Sequence, residues 1–424
     1  MQRFARRWRR WYDNEGGMTQ GGSPARRALW AKVRARGGRG DRSALGMWFF
    51  DIDRVLLLLA LLLIAIGLLS VAAASPASAV RYSGDRTHFA PLYFFWRQVL
   101  WVAVSVPIMI GVSMMPHALA RRMALIGAGV FFALLVLVPF VGVEVNGARR
   151  WIGVGISQFQ PSEFLKPCFI VATAWLLSLQ AKDRALPVVP ITAAMTGMVT
   201  VALMMQPDFG QTIIFCTMWL ALLMVAGTPL KVMAALAAAA PAGVVAAYFL
   251  YGTAQARINA FLFPSDDKSA SDYFQTNMAH ATLTAGGLTG TGPGGGAMKF
   301  RLPEAHTDYI FSVIGEEFGL VACGIIALLF LAIVVRVFVK LLDEPDPFKM
   351  LAAAGLATQF GVQALVSMAV NTGIAPSKGM TLPFISYGGS SMVALSIGMG
   401  LLLAFTRRNP FLTRSPYVVR WSGQ

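Results

Sequence analysis

The sequence predicts an all-α polytopic membrane protein of ten transmembrane helices, with a large extracytoplasmic loop between helices 7 and 8. Three observations carry that prediction. The 424 residues are 56% hydrophobic and only 13% charged, about half the charged share of a soluble domain. Apolar runs of roughly 18 residues or more recur along the chain, each able to cross a hydrocarbon core of about 30 Å as a helix. Lysine and arginine fall in every second loop, which puts both termini in the cytoplasm and agrees with an even number of spans.

Residues 1–54 read as a basic cytoplasmic tail. Its thirteen Lys/Arg against five Asp/Glu supply about half of the formal charge of +16. Arg3, Arg6, Arg7, Arg9 and Arg10 interleave with Phe4, Trp8, Trp11 and Tyr12, the pattern of an interfacial helix on anionic membrane lipids. The charge is therefore read as a topology and lipid signal, and nucleic acid is not expected as a partner. The basic stretch is too long for a cleavable signal peptide, and the apolar run behind it is a full span. Gly16–Pro24 has the composition of a linker.

The membrane domain covers residues 55–406, and 407–424 form a cytoplasmic C-terminal tail. Spans are expected near 55–75, 93–114, 122–143, 163–181, 186–205, 211–228, 230–251, 309–336, 349–372 and 385–405. The inner loops then hold Arg121 and Arg122, Lys182 and Arg184, Lys231, Lys340 and Lys349, and Arg407 and Arg408. Cys168, Cys216 and Cys323 all fall in apolar segments without a close-spaced pair, so they read as small buried hydrophobes.

This topology sets four unusual loops outside: 144–162, 206–210, 252–308 and 373–384. The inner loops are plain connectors, so the chemistry is expected on the outer face. Loop 252–308 is too long for a connector. Its glycine-rich run, Thr284 to Gly296, reads as a hinge or as a backbone nest for phosphate, without the Gly-Lys-Ser/Thr ending of a nucleotide loop.

The densest chemistry lies in Lys299–Glu317, where a polar loop runs into the eighth span. Asp308 stands at the junction. It reads either as a helix cap or as a general base at the mouth of an apolar cleft, where partial burial tunes a carboxylate. Glu304 and His306 are within reach along the loop. Glu316 and Glu317 lie roughly 12 Å deeper along the helix, where ionisable groups mark a functional path or a buried pair. In Asn146–Ile152, Arg149 and Arg150 beside Trp151 suit an anionic amphipathic ligand, or an interface anchor with snorkelling arginines. Glu163 and Lys166 are spaced as a helical ion pair. Asp208 reads as the cap of the sixth span. Arg97 and Gln98, early in the second span, read as a hydrogen-bond hub or a cavity lining. In Ala375–Ser391, two prolines set an irregular backbone plunging toward the membrane, Lys378 is a candidate phosphate contact, and Gly388–Ser391 favour close helix packing.

At these residues the chain resembles the SEDS family (shape, elongation, division and sporulation), bacterial proteins of ten spans. Four blocks carry the resemblance: 146–166, 206–210, 257–317 and 376–391. Within the third, Arg257-Ile-Asn-Ala-Phe-Leu and Tyr273-Phe-Gln275 fit the family pattern. Leu302–Asp308 and Ser377–Ser391 are similar to the division branch, FtsW, whereas the elongation branch, RodA, usually lacks the lysine before Gly379. Pro264 is not followed by the tryptophan that relatives often carry, and the glycine run 294–296 is richer than usual. The N-terminal tail is outside the match.

The resemblance implies a peptidoglycan glycosyltransferase that polymerises lipid II, a disaccharide-pentapeptide on undecaprenyl pyrophosphate, during septal wall synthesis in cell division. It maps the family's essential aspartate onto Asp308, and its Arg-Trp motif onto Arg150 and Trp151. Lys166, Arg257, Gln275, Lys299, His306, Lys378 and Ser386 lie in the same blocks and join Arg150 and Trp151 as expected substrate contacts. Positive charge for the departing pyrophosphate would come from Arg150, Arg257 and Lys378, with a divalent cation (Mg or Mn) as a further source; no organic cofactor is implied. The expected partners are lipid II, a class B penicillin-binding protein transpeptidase and other divisome proteins. The expected location is the bacterial cytoplasmic membrane at the septum. Three other readings are a lipid II flippase, whose polar path would use Arg97, Glu163, Lys166, Glu316 and Glu317, a RodA-like elongation polymerase, and a scaffold that only positions a partner enzyme.

Overall fold

A computed structural model describes residues 44–407, apart from 85–87, 146–147, 154–157, 182, 184, 253–254, 257, 260–270 and 377–378. The expected interfacial tail helix, the Gly16–Pro24 linker, Arg257 and Lys378 lie outside the described residues. The chain divides into a unit of Asp53–Arg407 and a remainder, of which residues 44–52 are described as one helix, α1 (Ala44–Asp51).

The main unit is helical. In order come α2 (Arg54–Tyr82), α3 (Tyr93–Met114), α4 (His117–Val141), a hairpin of β1 (Val143–Val145) and β2 (Ala148–Trp151), α5 (Pro161–Leu179), α6 (Val188–Met204), α7 (Phe209–Val225) and α8 (Leu230–Leu250). Then follow α9 (Ser271–Ala285), a 3₁₀ turn (Met298–Phe300), α10 (Ile310–Leu341), α11 (Pro347–Asn371) and α12 (Gly389–Phe405). Each expected span coincides with one of these helices. Among the described residues, seven are long and apolar enough to cross a membrane: α2, α3, α4, α5, α8, α10 and α11. The apolar helices α6, α7 and α12 have 17 residues each, so length alone leaves them short of the threshold.

Two departures have simple causes. α2 continues to Tyr82 instead of stopping near 75, because Pro76 sits inside the helix without ending it; proline is tolerated in membrane helices where neighbours satisfy the freed backbone groups. The long loop also holds α9, whose low apolar content hides it from a hydropathy reading.

The bundle has two chemically distinct ends. At one, the Asp53 carboxylate caps α2 through Val55 N (3.0 Å) and Leu56 N (3.2 Å), and pairs with Arg336 (3.0 Å) and Lys340 (2.8 Å) from the end of α10. Burial alone would raise its pKa; the lysine and arginine outweigh burial and hold the carboxyl below its usual range. Arg121 over Phe348, Lys349 beside Glu344, and Arg407 on the Met114 and Met115 carbonyls gather at the same end. At the other end meet the β-hairpin, the 206–208 turn, the segment before α10 and the segment before α12.

α5, α11 and α12 are buried along most of their length and form the centre. α3 and α12 approach closely through small residues: a Cβ on Gly389 would lie 2.5 Å from the Trp101 ring, and one on Gly400 would lie 2.7 Å from the Met109 carbonyl.

The glycine-rich run splices α10. α10 is broken at Gly319, whose φ of 80° and ψ of 173° belong to a region open essentially to glycine alone. The run closes that break. Thr291 N and Gly292 N donate to the carbonyls of Glu316 (2.9 Å) and Glu317 (3.0 Å), while Leu320 N and Val321 N donate to Gly287 O (3.0 Å) and Leu288 O (3.3 Å). Backbone groups that a break would orphan in an apolar surrounding are thereby satisfied.

Glu316 and Glu317 resolve as buried anchors. Glu316 accepts the backbone N–H groups of Met298 (2.6 Å) and Lys299 (3.0 Å), and Glu317 takes the Lys299 ammonium, which also donates to Ala73 O (3.0 Å). Lys299 is 1% exposed, so losing its charge strands the carboxylate of Glu317. Lys299→Met should destabilise the protein by about 3–5 kcal/mol, and Lys299→Met/Glu317→Leu should recover most of that in thermal unfolding.

Candidate active site

Asp308 lies at the uncharged mouth of α10, one residue before the N-cap Tyr309, and so it does not occupy the cap. It is half-buried. Its backbone carbonyl accepts Asn371 Nδ2 (3.0 Å), and Asn371 Oδ1 in turn takes Ser312 N (3.1 Å) and Ser312 Oγ (2.8 Å). Its Oδ2 faces Gly379: a Cβ there would stand 3.0 Å from the carboxylate oxygen. The carboxylate therefore looks onto a stretch of backbone without a side chain, in the segment where two prolines predicted irregular structure.

The turn that carries Asp308 is fastened to α2 and to the 381–388 segment. His306 Nδ1 meets Ser78 Oγ at 2.9 Å, and His306 O accepts Tyr387 N at 2.9 Å. Phe94, Tyr82 and Tyr387 enclose the imidazole, with ring centroids 4.3, 5.8 and 5.1 Å away. Burial lowers the His306 pKa to about 4; Glu304 pulls the other way, and Arg97 reinforces the fall. His306 is therefore neutral at pH 7, a wedge in an aromatic box and not a cation for phosphate.

That shift has a measurable consequence. The imidazole titrates near 6.5 unfolded and about 4 folded, so between those values the unfolded chain binds more protons. Stability is full above about pH 6.5 and falls, by up to about 3 kcal/mol, as the pH drops toward 4. Thermal unfolding across that range should show this slope, and His306→Gln should flatten it.

Arg97 lies over the rings of Tyr93 (5.6 Å) and Tyr387 (5.9 Å), and Gln98 Nε2 reaches Ser386 O at 3.4 Å, which favours the hub reading of this pair. Ser386 is buried; its Oγ accepts Leu382 N (2.8 Å) and closes a tight turn. Burial also raises the Tyr387 pKa.

A second polar cluster sits beneath the first. Lys166 is fully buried, pairs with Glu163 (2.8 Å) and donates to Gln363 Oε1 (3.2 Å). Glu163 also accepts Gln211 Nε2 (2.7 Å) and Ser391 Oγ (3.4 Å), and Gln363 reaches Thr381 O (3.1 Å). α5, α7, α11 and α12 are thus joined below the 381–388 segment. Arg150 donates to the carbonyls of Gln206 (3.2 Å) and Pro207 (2.7 Å) and stands 4.0 Å from Asp208. Asp208 caps α7 at Gln211 N (3.2 Å), as its position predicted, and burial raises its pKa against the pull of Arg150.

The structure thus brings Asp308, His306 and Ser386 together with Arg97. It places Lys166, Lys299, His306 and Ser386 in the interior, bound to protein groups, whereas a substrate contact was expected of each. Trp151 and Gln275 are half-buried. Among the described residues, no group of three or more His, Cys, Asp or Glu side chains stands where it could hold a metal ion.

Sequence reasoning passed over a buried polar stripe on α11, whose last member, Asn371, holds the Asp308 carbonyl. Gln359, Gln363, Ser367 and Asn371 recur every fourth residue on α11, each no more than 1% exposed. A polar stripe at that spacing inside an apolar span was a legible signal.

Residues 53–410 match the family described as cell cycle protein, which groups FtsW, RodA and SpoVE. The chain belongs to this family. It is 39% identical to a probable peptidoglycan glycosyltransferase FtsW of Caulobacter vibrioides, over 88% of this chain and 93% of the relative. The protein of the same name from Nitrosomonas europaea is 34% identical, over 85% and 94%. Among solved structures, a peptidoglycan synthase complex that coordinates polymerization and crosslinking contains a chain of this fold, with a TM-score of 0.67 and 28% identity over 84% of this chain and 97% of that one. The rod shape determining protein RodA of Thermus thermophilus gives a TM-score of 0.59 at 25% identity, over 84% and 96%. This FtsW/RodA/SpoVE member therefore shares both sequence and architecture with its relatives over nearly the whole membrane unit.

Proposed function

We propose that this protein is a peptidoglycan glycosyltransferase of the FtsW branch, which polymerises lipid II into glycan strands for the division septum. The observation that carries the reading is Asp308: a half-buried carboxylate whose backbone is pinned by Asn371 and whose side chain faces the bare backbone of Gly379. The relatives' names support the activity.

In this reading the acceptor sugar 4-hydroxyl loses its proton to Asp308 as its oxygen attacks the anomeric carbon of the donor. The bond from that carbon to the pyrophosphate oxygen breaks with its electron pair, and the α-linked donor becomes a β-linked product. Arg150, Arg257 and Lys378 supply positive charge for the leaving group. A divalent cation would add positive charge for the leaving group; among the described residues no cluster of three or more His, Cys, Asp or Glu side chains would hold it. We assign the cation-rich end at Asp53 to the cytoplasm, which puts Asp308 on the outer face of the cytoplasmic membrane and lets the undecaprenyl chain lie in lipid.

The flippase reading needs open charged groups along a path through the bundle. Glu163 with Lys166, and Glu317 with Lys299, are instead paired in the interior. The elongation reading lacks support from the Lys378–Gly379 pair. The solved synthase complex supports a class B penicillin-binding protein as partner, with other divisome proteins around it. The test supplies purified protein and that partner with lipid II, and looks for glycan chains. Polymer is expected. Transport of labelled lipid II by the protein alone, with no polymer formed, would replace this reading with the flippase.

A further inference from the structure

Glu304 holds both neighbours of Asp308. Its carbonyl accepts Thr307 N (3.1 Å), Thr307 Oγ1 (3.2 Å) and Tyr309 N (3.3 Å), and its carboxylate Oε2 accepts Thr307 Oγ1 (2.8 Å). Asp308 is the residue between these two. Glu304 has a φ of 50°, a left-handed conformation that is strained for a non-glycine residue and persists only where its surroundings enforce it. The enforcing contact comes from α2: Tyr82 OH donates to Glu304 Oε1 at 2.6 Å. Ser78, four residues earlier on the same helix face, holds His306. The last turn of α2 thus grips the turn before α10 at two points, and one of them acts on the residues flanking the carboxylate.

We propose that Glu304, held by Tyr82, is a positioning residue that aims the Asp308 carboxylate. The proposal rests on the reading of Asp308 as the general base. Glu304 does not touch the reacting atoms; it fixes Thr307 and Tyr309, and through them the direction in which Asp308 leaves the backbone. A displacement of about 1 Å at a catalytic group costs on the order of a hundredfold in rate.

The test measures polymerisation of lipid II by the full-length protein with its partner, for Tyr82→Phe, Glu304→Gln, Glu304→Ala and Asp308→Asn. Tyr82→Phe keeps the ring against Phe94 and His306 and loses only the donor; kcat should fall roughly tenfold with KM unchanged. Glu304→Ala should fall toward a hundredfold, on the order set by such misplacement. Glu304→Gln keeps an oxygen acceptor and should recover most of the rate. Full rate in both Tyr82→Phe and Glu304→Ala would overturn the proposal. So would activity falling only in proportion to folded protein, with glutamine no better than alanine. Should Glu304→Ala not fold, Tyr82→Phe decides. An active Asp308→Asn would sink the base reading itself, whereas an inactive Asp308→Asn beside a fully active Tyr82→Phe and Glu304→Ala would sink the positioning role alone.

Discussion

Asp308→Asn should cut glycan polymerisation by between about a hundredfold and ten-thousandfold, the usual contribution of a positioned general base. The substitution is nearly isosteric, and the bond from Asn371 to the residue 308 carbonyl involves backbone that it does not alter. The glycine opposite, Gly379, has no side chain to clash with the new amide. What changes is basicity: a carboxamide cannot take up the proton of an attacking hydroxyl. The measurement is polymer formed from lipid II per folded molecule, with thermal unfolding as the control. A transition temperature within a few degrees of the unsubstituted protein would assign the loss to chemistry and not to folding. Polymerisation that persists at the original rate would remove Asp308 from the base role and leave Glu304 as the nearest other carboxylate of that turn.

Gly319→Ala should be among the most destabilising single changes in the chain, by more than about 4 kcal/mol. Two effects add. The backbone sits where an L side chain is strained, and the new Cβ would stand 2.2 Å from Leu288 O and 2.5 Å from Gly290 N. Neither neighbour can yield, because both are backbone of the run that closes the α10 break. Gly324→Ala, five residues on in the same helix, is the control: its Cβ meets nothing within 4 Å, and alanine there should stabilise by roughly 0.5–1 kcal/mol. Detergent-solubilised yield and thermal unfolding check both. Equal behaviour of the two variants would mean that the splice between residues 286–292 and α10 does not hold the bundle together.

The helices were legible because the bilayer is a strict solvent. Apolar runs such as those behind α2, α4 and α10 have few alternatives to a helix, and their positions agree with the expected spans to within a few residues at most ends. The grouping of four loops at one end followed from alternation alone. The site was legible only in part. Asp308 and Arg150 announce themselves as charged groups beside apolar segments, but their partners do not. Whether Lys299 meets substrate or Glu317 depends on how the chain folds back over the separation of 18 residues between them, and the answer is Glu317. The repair of α10 by the glycine run was illegible for a related reason: it is made of main-chain bonds between segments, which leave no side-chain signature beyond the glycines themselves.

The shorter helices also act on their surroundings. At about 1.5 Å per residue, α6 is some 26 Å long, roughly 4 Å less than a typical hydrocarbon layer. Ile191, Met198 and Val201 on α6 and Met205 at its C-cap are exposed. A bilayer meets a short span by thinning beside it, at a fraction of a kcal/mol per ångström of mismatch. A dimple of that kind lowers the headgroup plane on the flank of the molecule next to the 206–208 turn and Arg150, so that a lipid-borne substrate would reach the protein already partly drawn down from the bulk membrane surface.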